Sequence, residues 1–338
     1  MTFCTLVVLP VGAAMWATTW SAERARMTLQ RESLSRVARL ALRAVERSPD
    51  NGLNSAAMVG RLMRARVGVY MDGAITSASD PAPSVSVLDR ELLVSAAAVP
   101  AGVPLGTGIL MAGAPGPGAV STAALAESRE STSHAVSIPV RVVIALLLLL
   151  SALAVWILLL RTPADPEGRE RHRAAVSLLA LVPALATFGL MVHVGRDFEK
   201  KSAALLAGDL TRALAVIETM GLAGSPQAIN EVSAFHAVRV TGGLIDLTTF
   251  DAEAPKVEAL HPPPPSFTTS GLVGTPAGPA RYVARRLGPG TSVVVLAAVP
   301  VGEKEALRLR SLGLGSALLL WLLVAGYLIE SRRRKQGA

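Results

Sequence analysis

The sequence predicts a membrane α-helical protein with four spanning helices and two α+β domains that arose by internal duplication. Three observations support this class: apolar segments of spanning length, a shortage of charged residues, and a pattern that repeats after about 170 residues. Hydrophobic residues make up 51% of the 338 residues and charged residues 17%, with a mean hydropathy of +0.46. A globular domain usually carries about 25% charged residues, so the composition favours a membrane protein.

The four expected spans are residues 1–22, 140–160, 174–195 and 311–330. Each contains a nearly uncharged run of the roughly 20 residues that a helix needs to cross a bilayer. The alternative, a buried core helix, is usually shorter and keeps a polar face. The first segment could instead be a cleaved signal peptide. It lacks a positive n-region and a cleavage site after Trp20, which favours an uncleaved anchor.

Clusters of basic residues in short loops set the expected orientation, because such clusters mark the cytoplasmic side of a membrane. The loop 161–173 and the tail 331–338 carry these clusters, at Arg161, Arg169, Arg171, Arg173, Arg332, Arg333, Arg334 and Lys335. The prediction is a multi-pass inner-membrane protein with both termini in the cytoplasm and residues 23–139 and 196–310 outside. The basic residues behind the net charge of +8 are then expected to interact with anionic lipids of the inner leaflet, and no nucleic-acid partner is expected.

Similar segments recur in the same order in the two halves. Helix 31–47 corresponds to 202–219, and VYMDGAITS at 69–77 corresponds to RVTGGLIDL at 239–247. Two Gly-Pro-Gly triplets, at 116–118 and 288–290, precede the last apolar stretch of each half. An internal duplication explains the order and the spacing together. The alternative is two independent domains with similar turn chemistry.

Each outer domain is expected to begin with an amphipathic helix and to continue into two hairpins. Asp72-Gly73 and Gly242-Gly243 are two-residue turns that supply the positive φ of a type I′ hairpin. The triplet at 288–290 predicts a second turn between strands 281–287 and 292–299. Pro-rich connectors, 80–83 and 262–265, separate the hairpins and are expected to be stiff surface loops.

This order of elements between two spans resembles the extracytoplasmic PAS-like sensor family called Cache or PDC, found in bacterial membrane signalling proteins. The resemblance rests on Tyr70-Met71-Asp72-Gly73-Ala74-Ile75 and, more loosely, on Thr241-Gly242-Gly243-Leu244-Ile245. It covers both outer segments and implies PAS-like α+β folds and a sensory role. The ligand-contact signatures of amino-acid-binding members are missing, so the resemblance implies no particular ligand.

The sequence carries no recognisable catalytic or cofactor motif. Its five histidines lack metal-ligand spacing, and neither a P-loop nor a GxSxG motif nor a pair of carboxylates in a catalytic arrangement appears. The single cysteine, Cys4, excludes an intrachain disulfide and is given no role. We therefore expect neither an enzyme nor a bound cofactor or metal.

The candidate ligand contacts are few. On the strand 281–287, alternation places Arg281 and Arg285 on one face and Tyr282 and Arg286 on the other. An anionic ligand would explain the arginines, and so would a solvated edge strand whose charges oppose aggregation. The first copy has no matching arginines near 107–113, which favours the second copy, with Tyr70 as the candidate contact in the first.

The leading functional hypothesis is a sensor with duplicated outer domains that passes a signal to a separate output partner. Its expected partners are the lipid bilayer, a cytoplasmic or membrane signalling protein, a small-molecule ligand and further copies of itself. Two alternatives remain open: a structural or assembly component of the bacterial envelope, and a transporter subunit. The second is disfavoured because the apolar segments hold almost no polar residues to line a path.

Overall fold

The computed structural model describes residues 2–47, 52–85, 89–113, 120–129, 166–250, 269–275, 278–298, 308–310 and 312–315. The chain divides into two compact units. One unit is formed by Met27–Ser131 together with Ser202–Pro300 and contains both β-sheets. The other is formed by Met1–Arg26, Thr132–Lys201 and Val301–Ala338.

The first half of the chain begins with helix α1 (Thr2–Arg47) and helix α2 (Gly52–Met63). A five-stranded antiparallel sheet follows, in the order β2-β1-β5-β4-β3. Its strands are β1 (Ala65–Met71), β2 (Ala74–Ala78), β3 (Val103–Leu105), β4 (Gly108–Ala112) and β5 (Thr122–Ser128). Helix α3 (Arg90–Ala97) lies between β2 and β3 in sequence, and the Asp89 side chain caps its N-terminus.

The second half repeats this plan. Helix α4 (Pro166–Thr219) is followed by helix α5 (Pro226–Ser233), which has Ser225 as its N-cap and a proline at its start. The second antiparallel sheet has the order β7-β6-β10-β9-β8. Its strands are β6 (His236–Thr241), β7 (Leu244–Thr248), β8 (Thr269–Thr275), β9 (Gly278–Gly288) and β10 (Thr291–Ala298).

The two sheets share their topology and also one irregularity. Each opens with a hairpin in which the register shifts at one place, between Val69 and Tyr70 in the first and between Arg239 and Val240 in the second. Both turn residues have positive φ: 49° and 82° at residues 72 and 73, and 61° and 84° at residues 242 and 243. The predicted type I′ turns are therefore confirmed.

One hydrophobic core serves both halves. Leu34, Val37 and Ala41 of α1 pack in the same cluster as Leu206, Leu210 and Ala213 of α4. The inward face of each sheet joins this cluster, for example through Val67 and Val295. The predicted helices 31–47 and 202–219 are confirmed as the segments of α1 and α4 that contribute to it. We call the two halves of this unit the first and second repeat.

A buried ion pair links the two repeats inside this core. Arg36 Nη2 of α1 lies 2.8 Å from Asp209 Oδ2 of α4, and the Asp209 side chain is only 3% exposed. The pattern of buried residues along α4 (Leu206, Asp209, Ala213) matches that along α1 (Leu34, Val37, Ala41). Asp209 thus takes the place of an apolar residue, and Arg36 supplies the nearer of two compensating charges, with Arg212 Nη1 of α4 3.8 Å from Asp209 Oδ1.

The outward face of each sheet forms a smaller core of its own. In the first repeat Tyr70, Leu110 and Leu125 pack with Leu93 and Ala96 of α3. In the second repeat Val240, Tyr282 and Leu296 occupy the outward face, with Phe250 packed against them. Because both faces of each sheet are covered, β5 and β10 read as almost continuous apolar runs, the pattern of buried strands.

The prediction of a four-span membrane protein, and with it the multi-pass inner-membrane localisation, is wrong. Within the residues that the structure describes, no helix combines the length and apolarity that a bilayer crossing requires. The apolar segments 1–22 and 174–195 belong to helices of 46 and 54 residues, which continue into charged turns and then into the core beneath the sheets. The observed class for the described residues is α+β, with two five-stranded antiparallel sheets.

Some predictions fall on residues outside the described part of the chain. These are the segment 140–160, most of 311–330, the triplet at 116–118, the connector 262–265 and five basic residues of the topology argument, Arg161, Arg332, Arg333, Arg334 and Lys335. The other three, Arg169, Arg171 and Arg173, lie in the first turns of α4.

Candidate functional site

The predicted contacts Arg281, Tyr282, Arg285 and Tyr70 do not converge on one site. Arg281 and Arg285 share the face of β9 that carries Val283, which packs in the main core. Arg285 Nη1 lies 2.8 Å from Glu218 Oε2 at the end of α4. Tyr282 points to the outward face of the same sheet and is 3% exposed. Arg285, whose side chain is 43% exposed, is therefore held by an ion pair between β9 and the end of α4.

Burial raises the pKa of the Glu218 carboxyl, and the neighbouring Arg285 guanidinium opposes this by lowering it. The ion pair thus offsets part of the desolvation of a half-buried acid. The ion pair with Glu218 explains why Arg285 is present without any ligand. The alternative of a solvated edge strand also needed no ligand, but it rested on protection against aggregation.

Tyr70 belongs to a polar group on the outward face of the first sheet. Its side chain is fully buried, and its hydroxyl donates to the Val85 carbonyl oxygen at 2.5 Å. Burial, and secondarily the negative charge of Glu127, raises the pKa of the Tyr70 hydroxyl. Tyr70 therefore remains a protonated donor that holds the connector against the sheet.

Glu127 is the second member of this group. It lies on β5, is 2% exposed, and accepts two hydrogen bonds from Ser84: the backbone N–H reaches Oε2 at 2.9 Å and the hydroxyl reaches Oε1 at 2.6 Å. Among the described residues no lysine or arginine forms a salt bridge with Glu127. A buried carboxyl group whose hydrogen bonds come from one serine is costly to hold, which makes it a candidate functional group.

Arg66 stands directly opposite Glu127 on β1, one strand away. Directly opposed residues of antiparallel strands place their side chains on the same face, with Cβ atoms about 5 Å apart. Nε of Arg66 is buried and has no hydrogen-bond partner in the described structure. The outward face thus presents a cation and an anion side by side, with the anion bonded to the connector.

Gly108 makes room for Glu127. A Cβ at position 108 would lie 2.7 Å from Cγ of Glu127 and 2.8 Å from the Ala126 carbonyl oxygen. Strand register shows what the second repeat has instead: Gly108 pairs with Glu127, whereas Tyr282 pairs with Leu296. The space that admits a carboxylate in the first repeat is occupied by an aromatic and an aliphatic side chain in the second.

The second repeat also lacks the opposing arginine. The position that Arg66 holds against Glu127 is held by His236 against Leu296. The His236 ring is exposed and stacks on Phe250, with ring centroids 4.4 Å apart. The polar outward face is therefore specific to the first repeat, whereas the sequence argument favoured the second.

The connector 79–85 lies over this face and is fastened at several points. The Ser79 N–H donates to the Val67 carbonyl oxygen at 2.8 Å, and the Val67 N–H donates to Ser79 Oγ at 2.8 Å. Arg129 Nη2 donates to the carbonyl oxygen of Asp80. Together with the bonds to Tyr70 and Glu127, these contacts keep water and solutes from the carboxylate while the connector is in place.

Sequence reasoning missed Arg66, Ser84, Gly108 and Glu127. The available signal was one glutamate in the apolar strand TAALAES, where a charge is out of place unless it is partnered. Its partners are distant in sequence, so only the strand register identifies them.

Neither a metal site nor a family assignment emerges. No group of three or more His, Cys, Asp or Glu residues that could hold a metal ion is present among the described residues. Comparison with known proteins finds no matching family model, no matching curated protein and no matching solved structure.

Proposed function

We propose that this chain is the input component of a signalling system, in which the first repeat binds a small polar molecule and a separate protein reads the result. The observation that carries the proposal is the opposed pair Arg66 and Glu127 on a buried sheet face, with the carboxylate bonded to Ser84 of the connector. A ligand with a hydrogen-bond donor for Glu127 and an acceptor for Arg66 would replace Ser84 and displace the connector.

The energetics favour such an exchange. Ser84 offers Glu127 one neutral hydroxyl and one backbone N–H, so only the acceptor of these two hydrogen bonds is charged, whereas a cationic ligand would add the Coulomb attraction between two opposite charges. A ligand cation would therefore bind Glu127 more strongly than Ser84 does. The difference would offset the loss of the connector contacts, such as the Tyr70 hydroxyl on Val85.

The second repeat serves as a scaffold in this proposal. Its outward face holds Leu296 and Tyr282 where the first repeat holds Glu127 and Gly108, so it offers no opposed charges. Its helix α4 packs in one core with α1, which allows a change in the first repeat to reach the second.

Thermal denaturation of the full chain in the presence of free amino acids, amines and carboxylates tests the proposal. We expect at least one zwitterionic or amine compound to raise the melting temperature of the native protein. The Glu127→Gln variant should lose this shift. His236→Gln, which changes the position equivalent to Arg66 in the second repeat, should keep it. A shift that persists in Glu127→Gln would contradict the proposed site.

A second candidate function is binding of another protein, the counterpart of the assembly hypothesis. Apolar side chains stand exposed on two strands at the edges of the second sheet, with Leu244 of β7 at 73% and Leu272 of β8 at 56%. Edge strands with exposed apolar residues can pair with a partner chain. If Leu272→Lys abolishes binding of a partner protein while Arg66 and Glu127 are left unchanged, this candidate is favoured over the first.

A further inference from the structure

One face of α1 carries polar side chains that contact both repeats. Glu32, Ser35, Arg36 and Arg39 are spaced three and four residues apart, so they lie along one side of the helix. Ser35 is only 9% exposed although it is polar, and its neighbours Val37 and Ala38 belong to the apolar core. We call these four residues the polar stripe of α1.

The first set of contacts joins the stripe to the loop that follows α3. The Ser35 hydroxyl donates to the carbonyl oxygen of Ala101. Arg39 Nη2 donates to the carbonyl oxygen of Pro100 at 3.4 Å, and burial lowers the pKa of the Arg39 guanidinium. These carbonyls are held in a compact turn, in which the Val99 N–H reaches Ala96 O at 3.1 Å.

Helix α3 connects that turn to the candidate site. Its buried residues Leu93 and Ala96 pack in the outward-face cluster with Tyr70. The loop returns to the sheet at Gly102, where φ is +81° and a Cβ would lie 2.6 Å from Ile109 Cγ2. A displacement of α3 therefore moves the Pro100 and Ala101 carbonyls, because the tight packing at Gly102 leaves little room to absorb it.

The second set of contacts joins the stripe to the second repeat. Arg36 lies between Ser35 and Arg39 on the same side of α1, with Nη2 2.8 Å from Asp209 Oδ2. Its guanidinium also lies over the Phe235 ring, 5.8 Å from the centroid. A rotation or shift of α1 that follows the loop would change both contacts.

We propose that α3 and residues 98–102 couple the outward face of the first repeat to the Arg36–Asp209 contact, so that occupancy of the site changes how α4 packs on α1. This coupling rests on the proposed function for its biological meaning. Its physical basis is a path that starts with the packing of Leu93 on Tyr70 and follows the chain from α3 to the Ala101 carbonyl. The path continues through the Ser35 hydrogen bond and along α1 to the Arg36–Asp209 ion pair. Coupling of this kind is reciprocal, so a substitution at Asp209 must also change the stability of α3.

Hydrogen–deuterium exchange of the full chain, without ligand, tests the coupling in both directions. Asp209→Asn should increase amide exchange severalfold in residues 90–102, although the ion-pair partners of Asp209 among the described residues, Arg36 and Arg212, lie outside that segment. Ser35→Ala should increase exchange in residues 206–214 of α4. The matched control is Arg43→Gln, one turn further along α1, because Arg43 bonds Glu46 of its own helix and is 45% exposed. That variant should leave both segments unchanged.

If Asp209→Asn changes exchange only near residues 32–40 and 202–217, the coupling is refuted. Arg36→Lys provides a second, milder change at the same contact, for use if Asp209→Asn does not fold. Increased exchange in residues 90–102 would again support the coupling, and changes confined to residues 32–40 and 202–217 would again refute it. The result is independent of the ligand screen. If the variants show the coupling but no ligand raises the melting temperature, only the proposed binding site is refuted. If a ligand raises the melting temperature but the variants show no coupling, only the coupling is refuted.

Discussion

The Arg36–Asp209 contact gives the most direct prediction about what holds the two repeats together. In Asp209→Val the new side chain suits its surroundings, since Val37 is buried at the matching position of α1. The cost comes from Arg36, which loses the partner of its Nη2 while its Nε has no hydrogen-bond partner among the residues that the structure describes. Breaking a fully buried pair costs about 3–5 kcal/mol. Because the Arg36 side chain is 21% exposed and can reach water, we expect the free energy of unfolding to fall by about 2–3 kcal/mol.

Removing both charges separates the cost of the unpaired arginine from that of the lost pair. In the double variant Arg36→Met with Asp209→Val, apolar groups of similar size replace both partners, which is often neutral or stabilising. We expect the double variant to recover most of the stability that Asp209→Val loses. Urea denaturation of the four proteins of this cycle, extrapolated to water, measures the coupling.

Simple additivity would refute this reasoning. If the double variant loses the sum of the two single losses, Arg36 and Asp209 contribute independently, and the ion pair does not join the repeats. Arg43→Gln serves as the control for removal of an α1 arginine, since the partner of Arg43 among the described residues is Glu46 of the same helix.

Three further predictions concern the first repeat. Tyr70→Phe removes the hydrogen bond to the connector and should lower the free energy of unfolding by about 1 kcal/mol, measured by urea denaturation. Gly108→Ala places a methyl group against Glu127 and should cost about 1–3 kcal/mol, a loss that Gly108→Ala in a Glu127→Ala background should largely avoid. Burial raises the pKa of Glu32 above its ordinary value of 4.5, so its contribution to stability declines as pH rises from there through the folded-state pKa. Glu32→Gln should therefore stabilise the protein at pH values above the folded-state pKa and weaken the fall of the melting temperature as the pH rises above 4.5; an unchanged pH profile would contradict this.

Turns could be predicted from the sequence wherever the backbone needs a positive φ, because few residue types adopt it. Asp72-Gly73 and Gly242-Gly243 identified both first hairpins, because few residues tolerate positive φ. The Gly-Pro-Gly triplet at 288–290 identified the turn between β9 and β10, where Gly290 has a φ of +72°. The helical segments followed from their apolar periodicity.

The missed elements lacked such signals. Helix α2 starts at a glycine and is only 12 residues long, and α3 is only eight residues long. Residues 1–22 and 174–195 were wrongly predicted as separate spans because each is only a part of a helix, of 46 and 54 residues respectively, that continues into charged turns. The polar outward face was missed for a different reason. Arg66 and Glu127 are far apart in sequence, and only the register of β1 against β5 brings them together.

The core that α1 and α4 build together has a consequence for how this protein diversified. Two separate subunits made from one gene must change in step, because every substitution appears on both sides of their interface. Once both halves lie on one polypeptide, a substitution affects one half only, and the ratio of the halves is fixed at one to one. Asp209 opposite Arg36, and Leu296 in the place of Glu127, are differences of the kind that this linkage permits. One polypeptide can therefore carry opposed charges on the outward face of one repeat and apolar side chains at the equivalent place in the other.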